Sequence, residues 1–166
     1  MKKIGFILIV FLLTACSSAL DVKYEGRPLT IGVIGTIPPI ENDLIEWKTY
    51  SLETMVTNDT NVDGWIVTEE WFEEASEPTY ASQFQQLTKP IFFIGIAPYH
   101  YSIFLEEQTT LENGYKNEHL PYIQGFVLLP DGTRKDMGVR LNKYMSEQNA
   151  LEEMYEGVIT LISQNS

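Results

Sequence analysis

The sequence predicts an α/β fold, a three-layer domain in which a mostly parallel sheet of about five strands is flanked by helices. Three observations support this prediction. Short β-branched and aromatic runs alternate with stretches of helical spacing, as in parallel sheets whose strands are connected by helices. Pro130-Asp131-Gly132 is a turn signal that predicts an antiparallel hairpin. Residues 146–162 have the apolar spacing of an amphipathic helix.

The strands are predicted from runs of apolar residues, which are typical of strands buried on both faces of a sheet. Such runs occupy residues 29–36, 65–68 and 91–96. Residues 50–56 form a less apolar run and predict a further strand. The segments 122–129 and 133–141 flank the turn signal and predict the two strands of the hairpin.

The helices are predicted from apolar spacing and from capping residues. Ile40, Leu44 and Trp47 are spaced for a short helix over residues 40–47. Thr68 can cap a helix over 69–75, and proline suits the opening turn of a helix over 78–87. The C-terminal helix is predicted over 146–162, with one apolar face formed by Leu151, Met154, Tyr155, Val158 and Ile162.

The N-terminus has the order of a secretory signal peptide. Lys2 and Lys3 precede an apolar run over residues 4–13, and small residues follow it. A helix that spans a membrane needs about 20 apolar residues, so this run is too short to favour a transmembrane anchor. The sequence therefore predicts a signal peptide over residues 1–15.

The end of this signal, Leu13-Thr14-Ala15-Cys16, resembles the lipobox of bacterial lipoproteins. The resemblance implies that a diacylglyceryl group with palmitate-like acyl chains is attached to the Cys16 thiol and that the chain is cut before this residue. It also implies a lipid-anchored position at the extracytoplasmic face of the cell membrane, inner or outer. The alternative is a free cysteine after an ordinary signal peptide.

The predicted organisation is a signal peptide (1–15), a lipidated polar tether (16–28) and a single α/β domain (29–166). Cys16 is the only cysteine, so no disulfide can form within the chain. Loss of Lys2 and Lys3 changes the formal net charge from −12 to −14, and such an acidic domain is repelled by nucleic acid and by anionic lipid. The expected partners are the membrane, through the lipid, and an unknown envelope ligand or protein.

An acidic stretch matches the calcium loop of an EF-hand. Asp59, Asn61, Asp63, Gly64 and Glu70 satisfy the pattern D-x-[DN]-x-[DN]-G-x5-E, in which oxygen side chains surround Ca²⁺. The preceding residues lack the spacing of an incoming helix, and no second loop exists. We favour a turn followed by a core strand, with no cofactor, and keep a calcium-binding module as the alternative.

A second candidate site follows from the fold class. Ligands of open α/β sheets bind beyond the carboxyl ends of the strands, and three such ends contribute polar or aromatic side chains. The candidate ligand-binding residues are Thr36, Thr68, Glu69, Glu70, Tyr99 and His100. Glu70 paired with His100 would make a hydrolase a further alternative.

Enzyme signatures are otherwise missing from the sequence. It contains no G-x-S-x-G elbow, no phosphate-binding P-loop and no H-E-x-x-H motif. Gly32 and Gly35 lack the third glycine of a dinucleotide-binding loop. The sequence therefore favours a binding module over an enzyme.

Overall fold

The structure is a computed structural model that describes residues 19–57, 61–142 and 144–166. The predicted signal peptide, the lipobox with Cys16, and Asp59 of the predicted calcium loop lie outside these residues. The strands are β1 (Leu20–Asp21), β2 (Leu29–Ile34), β3 (Ile40–Glu41), β4 (Ile45–Thr49), β5 (Gly64–Thr68), β6 (Ile91–Ile94), β7 (Ile123–Leu128) and β8 (Arg134–Val139). The helices are α1 (Leu52–Val56), α2 (Phe72–Ala75), α3 (Pro78–Phe84) and α4 (Glu147–Asn165), and two 3-10 helices cover Glu69–Trp71 and Tyr101–Phe104.

Six strands form the main sheet in the order β4-β2-β5-β6-β7-β8. The first four of this order are parallel, whereas β7 and β8 are antiparallel and form the hairpin. β1 and β3 pair in parallel as a separate small sheet. The predicted α/β class, with a mostly parallel sheet and an antiparallel C-terminal hairpin, is confirmed.

Both faces of the sheet are covered, and successive residues of β6 serve opposite faces. Phe93 points into a core built with the short helices, where it packs with Phe72, Phe84 and Phe104. Phe92 belongs to the core on the other face, which α4 covers. This burial on both faces explains why the central strands are almost entirely apolar.

The long helix α4 covers one face of the sheet and confirms the predicted C-terminal helix. Ser146 caps it, because its hydroxyl accepts a hydrogen bond from the backbone N–H of Asn149. The buried side of the helix is formed by Met154, Tyr155, Val158, Ile159 and Ile162. Among the described residues, no helix is both long and apolar enough to cross a membrane.

Two predicted elements between β2 and β5 are wrong. Residues 40–47 form no helix, because the apolar residues at helical spacing belong to two different strands, β3 and β4. The turn between them is held by Asn42, whose side chain donates to the carbonyls of Val22 and Tyr24 and accepts from the N–H of Leu44. Residues 50–56, predicted as a strand, contain α1, whose N-cap is Ser51.

The predicted tether is too long, because residues 20–28 belong to the folded domain. Leu20, Val22 and Tyr24 are buried and pack against α4. The Tyr24 hydroxyl donates to Ser163 near the end of that helix, and Arg27 forms an ion pair with Asp63 at 2.8 Å. The fold therefore begins within four residues of Cys16.

The two edge strands of the main sheet are lined with charges. Glu46 and Lys48 lie on β4 at one edge, 3.1 Å apart. Arg134, Lys135 and Asp136 occupy successive positions of β8 at the other edge, and all three are exposed. Charged edges of this kind discourage pairing with a further strand.

Candidate functional site

The candidate site lies where the direction of the strand connections reverses. The chain passes from β2 to β4 on one side of β2 and then to β5 on the other side. The reversal therefore falls between β2 and β5. In open α/β sheets, ligands bind at this point, beyond the carboxyl ends of the strands. We call the place between the carboxyl ends of β2 and β5 the switch crevice, a name for its position in the fold, since the side chains of Thr68 and Glu70 fill the space over Gly35.

Gly35 follows β2 and allows the side chains of the next strand to close over it. Its φ of +109° is a conformation that residues with a side chain rarely adopt. A Cβ at this position would lie 1.9 Å from Oγ1 of Thr68 and 2.6 Å from Oε1 of Glu70. The crevice therefore requires glycine both for its backbone and for its space.

Thr68 and Glu70 are connected at the end of β5. The buried Thr68 hydroxyl lies 3.3 Å from the carbonyl oxygen of Ile34 and 3.2 Å from Oε1 of Glu70. A hydroxyl has one hydrogen, so it donates fully to only one of these acceptors at a time. Within the described residues no cation pairs with Glu70, and its exposed carboxylate keeps most of its acceptor capacity.

Glu69 and Tyr122 extend the site toward the end of β6. A Cβ on Gly95, which has a φ of +87°, would lie 3.3 Å from Oε2 of Glu69 and 3.5 Å from the phenol oxygen of Tyr122. The backbone N–H of Gly95 donates to the carbonyl of Tyr122 at 3.1 Å. The strand ends therefore present two carboxylates and a phenol at one edge of the sheet.

Four of the six predicted ligand-binding residues lie at this edge. Thr36 is exposed directly after Gly35, and Thr68, Glu69 and Glu70 follow one another at the end of β5. Tyr122 was not predicted, because it precedes a strand that is distant in the sequence. The sequence contains one indication of its position. Tyr122 lies at the start of the first strand of the predicted hairpin, and such a strand is expected to pair with another strand of the sheet.

Tyr99 and His100 follow the end of β6, after a cis peptide bond between Ala97 and Pro98, and have their own partners. Nδ1 of His100 accepts a hydrogen bond from the backbone N–H of Ser102, and its ring lies 4.6 Å from the ring of Tyr101. The ring of Tyr99 is contacted by the ammonium group of Lys116 at 4.9 Å. Among the described residues, no hydrogen bond or ring contact joins Tyr99 or His100 to Gly35, Thr68 or Glu70.

His100 lines a separate depression of about 270 Å³ beside the hairpin. Tyr101 donates a hydrogen bond there to Asp136, and burial, followed by this hydrogen bond, raises the pKa of the Tyr101 phenol. The buried Gln124 donates to the carbonyls of Tyr99 and Pro121 and accepts from the N–H of Tyr101. The side-chain amide of Gln124 is therefore bonded within the fold, and its burial beside this depression is explained by those three hydrogen bonds.

The predicted hydrolase pair is not assembled. The hydrogen-bond partner of the Glu70 carboxylate is Thr68, and that of the His100 ring is Ser102. No hydrogen bond or ion pair joins Glu70 to His100 in the part of the chain that the structure describes. The geometry gives no support to an acid–base pair of these two residues.

The predicted calcium residues are separated by β5. Asp63 precedes the strand, where its carboxylate accepts from the N–H of Thr30 at 2.8 Å and pairs with Arg27. Glu70 follows the strand, and five strand residues at about 3.3 Å each separate the backbones of Asp63 and Glu70 by about 16 Å or more. The described residues contain no group of three or more metal-binding side chains. Calcium binding by a subset that includes Asn61 or Asp59 stays a prediction.

No family model, curated protein or solved structure matches this chain, so the candidate site rests on its own geometry.

Proposed function

We propose that the chain is an envelope lipoprotein, anchored through a diacylglyceryl group on Cys16 at the extracytoplasmic face of the membrane, and that its domain is a binding module. The observation that supports the anchor is the segment Leu13-Thr14-Ala15-Cys16 at the end of a short apolar run. Two acyl chains hold a protein stably at a bilayer, whereas a single chain does not. A domain of strongly negative net charge is repelled by an anionic surface, so attachment to the membrane needs the lipid.

Replacing Cys16 with alanine is expected to abolish lipid attachment, since the thiol is the only acceptor for it. Cells that produce the wild-type chain are labelled with an alkyne analogue of palmitate, and the purified protein is analysed by gel fluorescence and intact mass. We expect at least a tenfold loss of label in Cys16→Ala, together with a mass that retains the fifteen N-terminal residues. Ser17→Ala is the control and keeps the label, because it leaves the lipobox intact. Equal labelling of Cys16→Ala and wild type would refute the anchor.

We propose the switch crevice as the binding site and a positively charged group as what it binds. Glu69 and Glu70 both present carboxylates at this edge, and neither has an ion pair among the described residues. The net charge of the whole chain is also strongly negative, which attracts cationic ligands over a distance. Hydrogen bonds between a cation and a carboxylate are among the stronger ones in proteins.

Binding can be followed through Trp71, because its Cδ1 lies 2.9 Å from the position of a Cβ on Gly35. The mature chain in neutral detergent is titrated with spermine while tryptophan fluorescence is recorded. We expect a saturable change that weakens about tenfold in Glu70→Gln, equivalent to about 1.4 kcal/mol. The exposed Glu107 provides the control Glu107→Gln, which has the same charge change away from the crevice. An equal response of both variants would show that spermine only screens the overall charge.

A further inference from the structure

Asn113-Gly114 is the one Asn-Gly pair in the sequence, and it lies in the loop between the 3-10 helix Tyr101–Phe104 and β7, where Asn113 is exposed. Asparagine followed by glycine is chemically labile, because glycine has no Cβ that would shield its backbone nitrogen from the side-chain amide of the preceding residue. The reaction between the two needs only water. The rate at which the amide is lost therefore depends on the structure around this pair.

The reaction is a deamidation through a cyclic imide. The backbone nitrogen of Gly114 attacks Cγ of Asn113, so that a new C–N bond forms while the bond from Cγ to Nδ2 breaks. The side-chain nitrogen leaves as ammonia and takes with it the proton of the Gly114 N–H. Water then opens the succinimide and produces aspartate or isoaspartate at position 113. Either product has one negative charge more than asparagine at neutral pH.

The groups that take part in this reaction are hydrogen-bonded in the turn. The backbone N–H of Gly114 donates to the carbonyl of Thr110 at 2.8 Å. Oδ1 of Asn113 accepts from the backbone N–H of Thr110 at 2.7 Å, and its Nδ2 donates to the carbonyl of Gln108 at 3.2 Å. The attack requires the glycine nitrogen to give up its proton and the side-chain nitrogen to leave. These hydrogen bonds therefore oppose the reaction until the turn opens.

The turn is packed against the aromatic core of the sheet. Leu111 is partly buried and contacts this core. A Cβ on Gly114 would lie 2.7 Å from Cγ2 of the buried Ile103 and 2.9 Å from the carbonyl oxygen of Thr110. Because the backbone approaches its neighbours so closely, the turn requires glycine at position 114. The labile pair is thus part of the way in which the loop closes.

We propose that Asn113 is a modification site, at which the chain deamidates when this loop opens and is protected while the turn is closed. A carboxylate at position 113 can no longer donate to the carbonyl of Gln108. It also adds to the negative charge that Glu106, Glu107 and Glu112 bring to the same loop, which disfavours closing it again. The loss of ammonia makes the change irreversible, so the modification marks chains whose loop has opened.

The protection can be measured by comparing the folded with the unfolded chain. The full chain is incubated in mildly alkaline buffer, in neutral detergent or in guanidinium chloride, and peptide mapping by mass spectrometry follows conversion of the amide at position 113. We expect the folded wild type to react about tenfold more slowly than the unfolded chain, since only opened molecules react. Equal rates in the two states would overturn the protection by the turn. Absence of conversion at 113 in both states would overturn the modification site.

Leu111→Ala loosens the loop without changing the reacting pair. We expect the folded variant to react about threefold faster than the folded wild type, and at the wild-type rate in guanidinium chloride. Leu141→Ala is the matched control, because it removes the same atoms from an exposed leucine outside this loop and should leave both rates unchanged. Circular dichroism confirms that the variants are folded, and the wild-type comparison needs no variant. Equal rates of folded Leu111→Ala and folded wild type would contradict closure of the turn by the core.

Discussion

Replacing Gly35 with alanine is expected to destabilise the domain by about 3 kcal/mol, lowering the melting temperature by about 10 °C. Two causes add. The φ of +109° strains any residue that has a side chain, and the new methyl group would overlap Oγ1 of Thr68 and the carboxylate of Glu70. Relief of the overlap must displace Glu70, so the response to spermine should also weaken, by up to the tenfold expected for Glu70→Gln. Thermal unfolding followed by circular dichroism measures the first effect, and the fluorescence titration measures the second.

Gly132→Ala separates the two causes. Gly132 also has a positive φ, +81°, but a Cβ there would meet nothing within 4 Å. We expect about 1 kcal/mol of destabilisation from backbone strain alone and an unchanged response to spermine. If the two alanine variants were equally stable, Thr68 and Glu70 would not close over Gly35, and the described crevice would be incorrect.

Replacing Phe93 with alanine is expected to cost about 4 kcal/mol, which is a large part of the stability of an ordinary domain. The side chain is fully buried, stacks on Phe104 with ring centroids 4.1 Å apart, and contacts Phe72 and Phe84 at about 6 Å. The cavity left by the ring cannot be filled, because rigid aromatic rings surround it. Urea unfolding gives the free energy directly.

Tyr115→Ala is the matched control, since it removes a ring of similar size that is 66% exposed. Its expected effect is below about 0.5 kcal/mol. If the Phe93 variant is too unstable to purify, Phe93→Leu gives a smaller change of the same sign at the same position. A decrease of less than 1 kcal/mol in the free energy of unfolding of Phe93→Ala would contradict the aromatic core on this face of the sheet.

The fold class could be predicted because the central strands are identifiable from their own residues, without knowledge of the strands that they pair with. β5 and β6 are covered on both faces, so nearly every residue in them is apolar and the pattern is visible in the sequence. The error at residues 40–47 has a specific cause. Ile40 and Leu44 are spaced as on a helix, but pairing of β3 with β1 and of β4 with β2, both distant in sequence, determines the structure there.

The candidate site was only partly predictable for the same reason. Thr36, Thr68, Glu69 and Glu70 follow recognisable strands, so the parallel arrangement alone brings them to one edge. Contact with Tyr122 depends on β7 pairing with β6, and the spacing of the residues does not reveal that pairing. The start of the domain was misjudged although it carries a signal, because Leu20, Val22 and Tyr24 alternate with polar residues as in a strand with one buried face. The surface of α4 covers that face.

The charges along β4 and β8 have a consequence for the crowding of identical chains. Molecules confined to a two-dimensional surface, as we propose for this chain, collide far more often than at the same copy number in solution. An edge strand with unpaired N–H and C=O groups could then pair with the edge strand of a neighbouring molecule, so that one sheet continues into the next and aggregates grow. Glu46 and Lys48 on one edge, and Arg134, Lys135 and Asp136 on the other, make such lateral stacking costly. The domain is thereby suited to high surface density without fibril formation.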